Sequence, residues 1–250
     1  MHSFLLIGQS NMAGRGFLEE AYPIDTGRIY TLINGRWQQM FRPINPDRSF
    51  SGVNLAESFA EQCAKEYDTD IGLICCADGG TTLDQWKPGE LLYDNAVFHA
   101  RLAQRTSVLS GILWHQGESD CADLCRDVYK EKLEQMMRQL RSDLKQPDLP
   151  LLLGGLGDYL PDCPRPDWQF HNYTIINGIL KDIAEEWENT GYVSADGLLP
   201  NPDQLHFNAK ALHEFGLRYF AEYKKIVGTR LSTNEINKDI GLMRSEMEKL

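Results

Sequence analysis

A serine near the start of the chain stands where a strand-like apolar run meets a glycine-flanked turn. The run is Phe4–Ile7, and Gly8-Gln9-Ser10 follows it directly. A hydroxyl at the carboxyl end of a parallel strand, beside free backbone N–H groups, is placed as hydrolases place a serine nucleophile. Serine is also a common N-cap, so Ser10 by itself predicts a capped helix equally well.

A histidine that could activate Ser10 lies near the other end of the chain, with an acid three residues before it. The segment runs from Asn201 through Asp203 to His206, just before a helical stretch. A neutral imidazole can accept a serine proton when its second nitrogen is held by an acceptor, and a carboxylate one short turn upstream reaches that nitrogen. We therefore predict a triad of Ser10, His206 and Asp203. The alternative is a surface loop in which the aspartate caps the next helix.

Two further strand-like runs end in polar loops that contain glycine. The first leads into Gly79-Gly80 and the second into Gln116. In an open parallel sheet such loops meet at one edge, so these groups could donate to one oxyanion. We predict an oxyanion hole formed by the Ser10 N–H, a backbone N–H of Gly79 or Gly80, and the Gln116 amide. The sequence does not decide between the two glycines.

The most specific pattern is a set of four blocks: Gly8–Gly14, Gly79–Thr81, His115–Glu118 and Asp203-x-x-His206. They resemble the blocks of the SGNH (GDSL-like) hydrolase superfamily, and within it the carbohydrate esterase family 6 and sialate O-acetylesterase branch, which is related to acetylxylan esterases. The resemblance spans residues 3–222. It implies a metal-independent O-acetylesterase with Ser10 as nucleophile, His206 as general base and acid, and Asp203 as orienter. The wider superfamily has asparagine in its third block, whereas this chain has Gln116.

Polar and aromatic residues around these loops are candidates for support of the site or for contact with the substrate. His115 and Glu118 are expected to brace the oxyanion loop through hydrogen bonds. Trp86 follows the Gly79-Gly80 loop and is the predicted sugar-stacking residue, with core packing as the alternative. The full set of such candidates is Gln9, Asn11, His115, Glu118 and Trp86.

Composition limits the classes of partner. With 36 acidic and 25 basic residues the formal net charge is −11, which disfavours nucleic acid, although Arg15 or Arg42 could still attract an acidic sugar. No apolar run reaches the roughly eighteen residues of a membrane span. Cysteine and histidine spacings match neither a disulfide framework nor a zinc pattern, so we predict reduced thiols, no metal and no cofactor. The start of the chain lacks a signal-peptide pattern, which favours a cytoplasmic location.

Alternating apolar runs and amphipathic stretches predict an α/β fold, a three-layer α/β/α sandwich around a mainly parallel five-stranded sheet of SGNH or flavodoxin-like type. Residues 1–228 form the predicted esterase domain. Residues 229–250 carry a capping box and helical apolar spacing, which predicts a helix packed on the domain or at a homodimer contact. The strands are predicted at about 3–8, 71–76, 110–115, 150–155 and 191–195, and the helices at about 54–66, 91–106, 125–144, 172–188 and 209–225.

Together these features predict a serine O-acetylesterase that hydrolyses acetyl esters on sugars, of xylo-oligosaccharide or sialic-acid type, through an acyl-Ser10 intermediate. The expected partner is a small acetylated sugar or oligosaccharide. Two other classes remain open. A broader aryl-esterase, lipase or thioesterase would use the same residues with different pocket walls. A carbohydrate-binding protein without catalysis would keep the aromatic side chains but would have little use for Ser10, His206 and Asp203 together.

Overall fold

The structure, a computed structural model, describes residues 1–122, 126–165 and 169–228. Its centre is a seven-stranded sheet in the order β3-β2-β4-β1-β5-β6-β7. Every neighbouring pair is parallel except β2 and β3. The predicted helix at 229–250 and its homodimer contact lie outside the described residues. The strands are β1 His2–Gly8, β2 Ile29–Ile33, β3 Arg36–Gln39, β4 Ile71–Cys75, β5 Val108–His115, β6 Leu151–Gly154 and β7 Thr190–Val193.

Helices cover both faces of the sheet, so the predicted three-layer α/β/α architecture is confirmed. On one face α2 packs against α6, and on the other α3, α4 and α5 follow one another across the strands. On the first face, the Phe4 ring of β1 makes edge-to-face contacts with Phe59 of α2 and Tyr223 of α6. The helices are α1 Ser10–Ala13, α2 Leu55–Tyr67, α3 Leu91–Ala103, α4 Arg126–Asp143, α5 Tyr173–Glu186 and α6 Ala209–Val227.

Side-chain caps fix where two of these helices begin. Asn54 accepts a hydrogen bond from the Ala56 N–H, and Glu57 completes a capping box at the start of α2. Asn208 accepts from the Ala211 N–H at the start of α6, two residues after His206. The second cap holds the start of α6 directly behind the loop that carries the histidine.

The predicted number of five strands is wrong, because the sequence analysis missed the β2–β3 hairpin at the edge of the sheet. Its turn is Asn34-Gly35, with φ angles of 51° and 73°. This dipeptide between apolar runs is a strong hairpin signal, since both turn positions need positive φ. β3 is mostly exposed and its side chains are mostly polar, so it lacks the apolar run by which a buried strand is recognised. None of the described helices is long and apolar enough to cross a bilayer.

Candidate active site

Ser10 follows a corner that only glycine can form. β1 ends at Gly8, whose φ is +132° and whose added Cβ would lie 2.0 Å from the His115 carbonyl oxygen. This close approach lets the chain turn at the carboxyl edge of the sheet and begin α1 at Ser10. Because Ser10 is the first residue of α1, its N–H has no partner within the helix.

The structure brings Ser10, His206 and Asp203 into one hydrogen-bonded row. The Ser10 Oγ lies 3.0 Å from the His206 Nε2, and the His206 Nδ1 lies 2.6 Å from the Asp203 Oδ2. A carboxylate can only accept, so Nδ1 carries the proton that faces Asp203. The neutral ring then presents the Nε2 lone pair to the serine hydroxyl. The side chains can therefore pass the serine proton to the imidazole.

Asp203 is held as a charged acceptor. Burial opposes its ionisation, but hydrogen bonds from the His206 ring and from the N–H groups of His206 and Leu205 outweigh burial and lower the pKa of Asp203 to about 2. The two backbone bonds, both 3.0 Å long, go to the second carboxylate oxygen, Oδ1. The same carboxylate therefore shapes the loop and orients the ring.

Asn11 ties the loop of the serine to the loop of the histidine. Its Nδ2 donates to the Glu118 Oε1 at 2.7 Å and to the Leu205 carbonyl at 3.3 Å, and its Oδ1 accepts from the Phe207 N–H at 3.1 Å. Leu205 and Phe207 flank His206 on either side. The buried Asn11 amide thus supports the imidazole without touching it.

His115, Glu118 and Gln9 lie behind or beside this row. The His115 ring is fully buried and bonds the Gly155 carbonyl through Nε2 at 3.1 Å. Burial lowers the pKa of His115, although the nearby Glu118 carboxylate acts in the opposite direction. The Gln9 side chain accepts from the Ser119 N–H. The hydrogen bonds of His115 and Glu118 thus go to Gly155 and Asn11, so their bracing of the oxyanion loop stays a prediction, and Gln9 lies on the cleft wall.

Two of the predicted oxyanion donors are already engaged. The Gly79 N–H donates to the Asp47 Oδ2 at 2.9 Å, and the Gln116 Nε2 donates to the Thr81 carbonyl and to the Asp120 carboxylate. The predictions of the Gly79 N–H and of the Gln116 amide as donors are therefore corrected. The hydrogens of both groups are used in hydrogen bonds that hold the surrounding loops, so they are not directed at an ester oxygen.

The Gly80 N–H remains available. Among the described residues it has no hydrogen-bond acceptor, and Gly80 lines the same cleft as Ser10. The neighbouring Gly79 lies beside the serine, because a Cβ added to Gly79 would be 3.4 Å from the Ser10 Cβ. Of the two glycines, Gly80 is therefore the one whose N–H has no acceptor in the described part of the chain, and it and the Ser10 N–H are the candidate donors.

Trp86 does not contact the cleft, and its prediction as the sugar-stacking residue is wrong. Its side chain is fully buried, its Nε1 donates to the Thr81 Oγ1 at 3.0 Å, and its ring packs edge-to-face on Trp114. The segment after Thr82 forms a short 3₁₀ turn that carries the indole inward. Trp86 therefore belongs to the core beneath the oxyanion loop.

A cleft of about 740 Å³ opens above Ser10, and most of its outer wall consists of residues that no pattern in the sequence had indicated. Phe17 and Phe50 line it with 42% and 66% of their surfaces exposed, beside Leu18 and Arg48. An aromatic residue within the polar run Arg48–Ser51 is the signal that could have indicated it. Exposed aromatic rings in such a cleft offer apolar faces to a sugar ring.

The two arginines proposed from the sequence as anion binders have partners. Arg15 forms a buried two-pronged ion pair with Asp47, at 2.6 and 2.9 Å, beneath the cleft. Arg42 pairs with Glu57 and is absent from the cleft lining. Within the described ranges, no cluster of three or more His, Cys, Asp or Glu side chains is arranged to hold a metal ion.

The fold is of the SGNH-hydrolase type, and its cleft contains the hydrogen-bonded row of Ser10, His206 and Asp203. A family profile described as carbohydrate esterase, sialic acid-specific acetylesterase, matches residues 1–225. The chain therefore belongs to that family, and the predicted resemblance is confirmed.

Individual relatives agree with this assignment. A probable carbohydrate esterase of Arabidopsis thaliana is 26% identical over 246 residues, covering 88% of this chain and 89% of the relative. The crystal structure of that Arabidopsis protein superposes with a TM-score of 0.78 over 90% of this chain and 98% of its own.

Two more distant structures share the fold. NanS matches with a TM-score of 0.70 at 16% identity, covering 90% of this chain and 96% of its own. A carbohydrate acetylesterase from Xanthomonas citri matches with a TM-score of 0.65 at 17% identity, covering 90% of this chain and 56% of its own. These likenesses support the SGNH-type fold.

Proposed function

We propose that this protein is a serine O-acetylesterase that hydrolyses acetyl esters on sugar hydroxyls through an acyl-Ser10 intermediate. The observation that carries the proposal is the continuous hydrogen-bonded row from the Ser10 hydroxyl through His206 to Asp203. The open cleft beside the row admits a sugar, and family membership supports acetyl transfer to water as the reaction.

In the acylation half, the Ser10 Oγ attacks the acetyl carbonyl carbon while His206 Nε2 takes the hydroxyl proton. The carbonyl oxygen gains negative charge, which the N–H groups of Ser10 and Gly80 stabilise. When the tetrahedral intermediate collapses, the bond to the sugar oxygen breaks and His206 returns the proton to that oxygen. The products are a free sugar hydroxyl and acetyl-Ser10.

In the deacylation half, a water molecule attacks the acetyl-Ser10 carbonyl and gives its proton to His206 Nε2. The bond between the acetyl carbon and Ser10 Oγ breaks to release acetic acid, and the serine recovers its proton from the histidine. Asp203 stabilises the imidazolium that forms in both halves, and its low pKa keeps it ionised at every stage. Every proton transfer in both halves is therefore accounted for by Ser10, His206, the sugar oxygen and water, without a metal ion.

The sugar is proposed from the walls of the cleft. The exposed rings of Phe17 and Phe50 offer apolar stacking surfaces to a sugar ring, beside the polar side chains of Gln9 and Ser51. Short acetylated oligosaccharides of xylan or sialic-acid type fit this mixture. A broader aryl-esterase or thioesterase specificity would rest on the same row of residues and is an outcome of the test below.

The test is acetate release from p-nitrophenyl acetate and from a panel of neutral and acidic acetylated sugars, comparing the native chain with Ser10→Ala. We expect kcat to fall by about 10⁴-fold or more, as for nucleophiles in other triads. Ser107→Ala is the matched control. Ser107 lies just before the amino end of β5, whereas the cleft lies at the carboxyl edge of the sheet, and its hydroxyl donates to the Ala103 carbonyl. Equal activity of native and Ser10→Ala protein would contradict the mechanism. Binding of acetylated sugars without any hydrolysis would favour the carbohydrate-binding alternative.

A further inference from the structure

A loop between β3 and α2 pairs its side chains with the backbone that follows β4. Asn45 bonds the Ala77 carbonyl and N–H at 3.0 and 3.1 Å. Asp47 accepts from the Gly79 N–H, and the Arg48 Nη2 donates to the Gly79 carbonyl, both at 2.9 Å. We call residues 77–80 the oxyanion loop. Side chains about thirty residues upstream therefore supply the hydrogen bonds that its backbone would otherwise make with a neighbouring strand.

The bond from Arg48 fixes the direction of the Gly80 N–H. The Gly79–Gly80 peptide is trans, so its carbonyl and its N–H lie in one plane and point in opposite directions. Because Arg48 holds the Gly79 oxygen on one side, the Gly80 N–H must face the other. Gly80 has a φ of +78°, and a Cβ there would meet no atom within 4 Å. Without a holding contact this peptide could rotate readily.

The residues that hold this peptide are themselves anchored. Asp47 accepts both prongs of the buried Arg15 and the Ser51 hydroxyl at 2.8 Å. Burial opposes the charge on Asp47, but the Arg15 hydrogen bond prevails and lowers its pKa. The Arg48 Nη1 forms an ion pair with the Asp78 carboxylate at 2.7 Å and donates to the Asp47 carbonyl at 2.8 Å.

We propose that Arg48 is a positioning residue for the oxyanion hole, and this proposal rests on the proposed function. By holding the Gly79 carbonyl, its guanidinium directs the Gly80 N–H to the place where the ester oxygen becomes negative. Donation to the carbonyl also polarises the same peptide, which strengthens its N–H as a donor. The cationic group thus acts through a neutral backbone amide and needs no contact with the substrate.

The test uses Arg48→Ala with p-nitrophenyl acetate, a substrate without charge on its acyl group. Removing a whole oxyanion donor costs about 10²- to 10³-fold in kcat, so a donor left to rotate should cost roughly 10- to 100-fold. KM should change by less than about threefold, because the ground-state ester makes little use of this donor. The affinity of phenylboronic acid, whose serine adduct is a tetrahedral boronate anion with an oxygen at the oxyanion position, should fall in proportion to kcat.

Two variants serve as controls. Arg48→Lys keeps the charge and one hydrogen bond but lacks the fork that also holds Asp78, so its kcat should lie between native and Arg48→Ala. Arg105→Ala removes an exposed arginine outside the cleft and should retain native kcat. Thermal melting checks the fold of each variant. If Arg48→Ala does not fold, Arg48→Lys still tests the proposal through its kcat and boronate affinity.

The outcomes separate this proposal from the one on which it rests. Native kcat and boronate affinity in Arg48→Ala, with Ser10→Ala inactive, would overturn the positioning role alone. A rise in KM confined to acidic sugars would overturn it as well, since Arg48 would then be a contact for substrate charge. If Ser10→Ala keeps native activity, the serine mechanism itself fails.

Discussion

The two walls of the cleft are built differently. The hydrogen-bonded wall, which we define as Ser10, Asp203 and His206 together with the buried Asn11 behind them, is connected by short contacts between side chains and loops. The apolar rim, defined as Phe17, Leu18 and Phe50, is 42–66% exposed. The first wall holds the atoms of the proposed proton transfer in fixed geometry, and the second presents apolar surface to the cleft. We therefore expect changes in the first to lower kcat and changes in the second to raise KM.

The largest effect in this comparison is expected for Asp203→Asn. The amide can donate to the His206 Nδ1 and thereby favour the wrong tautomer, so the Nε2 lone pair is lost to the serine. By analogy with other triads, kcat for p-nitrophenyl acetate should fall on the order of 10⁴-fold, with little change in KM. The exposed Asp196 gives the matched control Asp196→Asn, which should keep native kcat. A fall of less than about tenfold would contradict the orienting role.

The same variant tests the pKa of Asp203 through stability. Because the folded pKa is lowered from 3.8 to about 2, the charged carboxylate stabilises the native state fully above pH 3.8, and this contribution disappears as the pH falls towards 2. Urea unfolding of native and Asp203→Asn protein should therefore differ most at neutral pH and converge near pH 2. A difference that grows on acidification would show the opposite sign of shift.

A smaller effect on the same wall is expected for Asn11→Ala. The change leaves the buried Phe207 N–H and Glu118 carboxylate without this partner and loosens the loop of His206. A displacement of about 1 Å in such a loop can cost roughly 10²-fold in rate, which we expect in kcat. Asn177→Ala is the matched control, because Asn177 clamps the Leu156 backbone in a similar way.

Melting temperature and kcat distinguish the two asparagines. Each variant should melt at lower temperature, since an unpaired buried polar group costs about 1–3 kcal/mol. Only Asn11→Ala should also lose kcat. Parallel losses of kcat in both variants would mean that stability, and no specific tie to His206, explains the effect.

The sequence predicted the hydrogen-bonded wall better than the rim because the two depend on different information. Ser10 follows a strand, and Asp203 and His206 share one short turn, so local chain geometry made them candidates, and the resemblance of the four blocks to SGNH hydrolases joined them as a triad. Trp86 was misplaced because the inward turn after Thr82 depends on packing against Trp114. Phe50 was missed because its loop has no secondary structure that fixes its direction.

The oxyanion donors show the same limit at the level of single hydrogen bonds. The glycine pair was found, yet the choice of Gly80 depends on Asp47 and Arg48, which lie in a loop about thirty residues away in sequence. No local pattern indicates that contact. At the edge of the sheet the reverse is true, since Asn34-Gly35 gave a local signal for the hairpin that a search for buried strands overlooks.

The smallest effect is expected on the rim, for Phe50→Ala. An aromatic stacking contact contributes about 0.5–1.5 kcal/mol, so KM for acetylated oligosaccharides should rise roughly 2- to 10-fold while kcat stays near native. Phe98→Ala is the matched control, because Phe98 is 63% exposed, close to the 66% of Phe50, and lies on α3 outside the cleft. Ethyl acetate, which has no ring to stack, should be hydrolysed equally by both variants. A fall in kcat with unchanged KM would instead assign Phe50 to the hydrogen-bonded wall. The centroid of its ring lies 5.2 Å from the Arg15 Cζ, so the ring could then act through the Arg15–Asp47 ion pair.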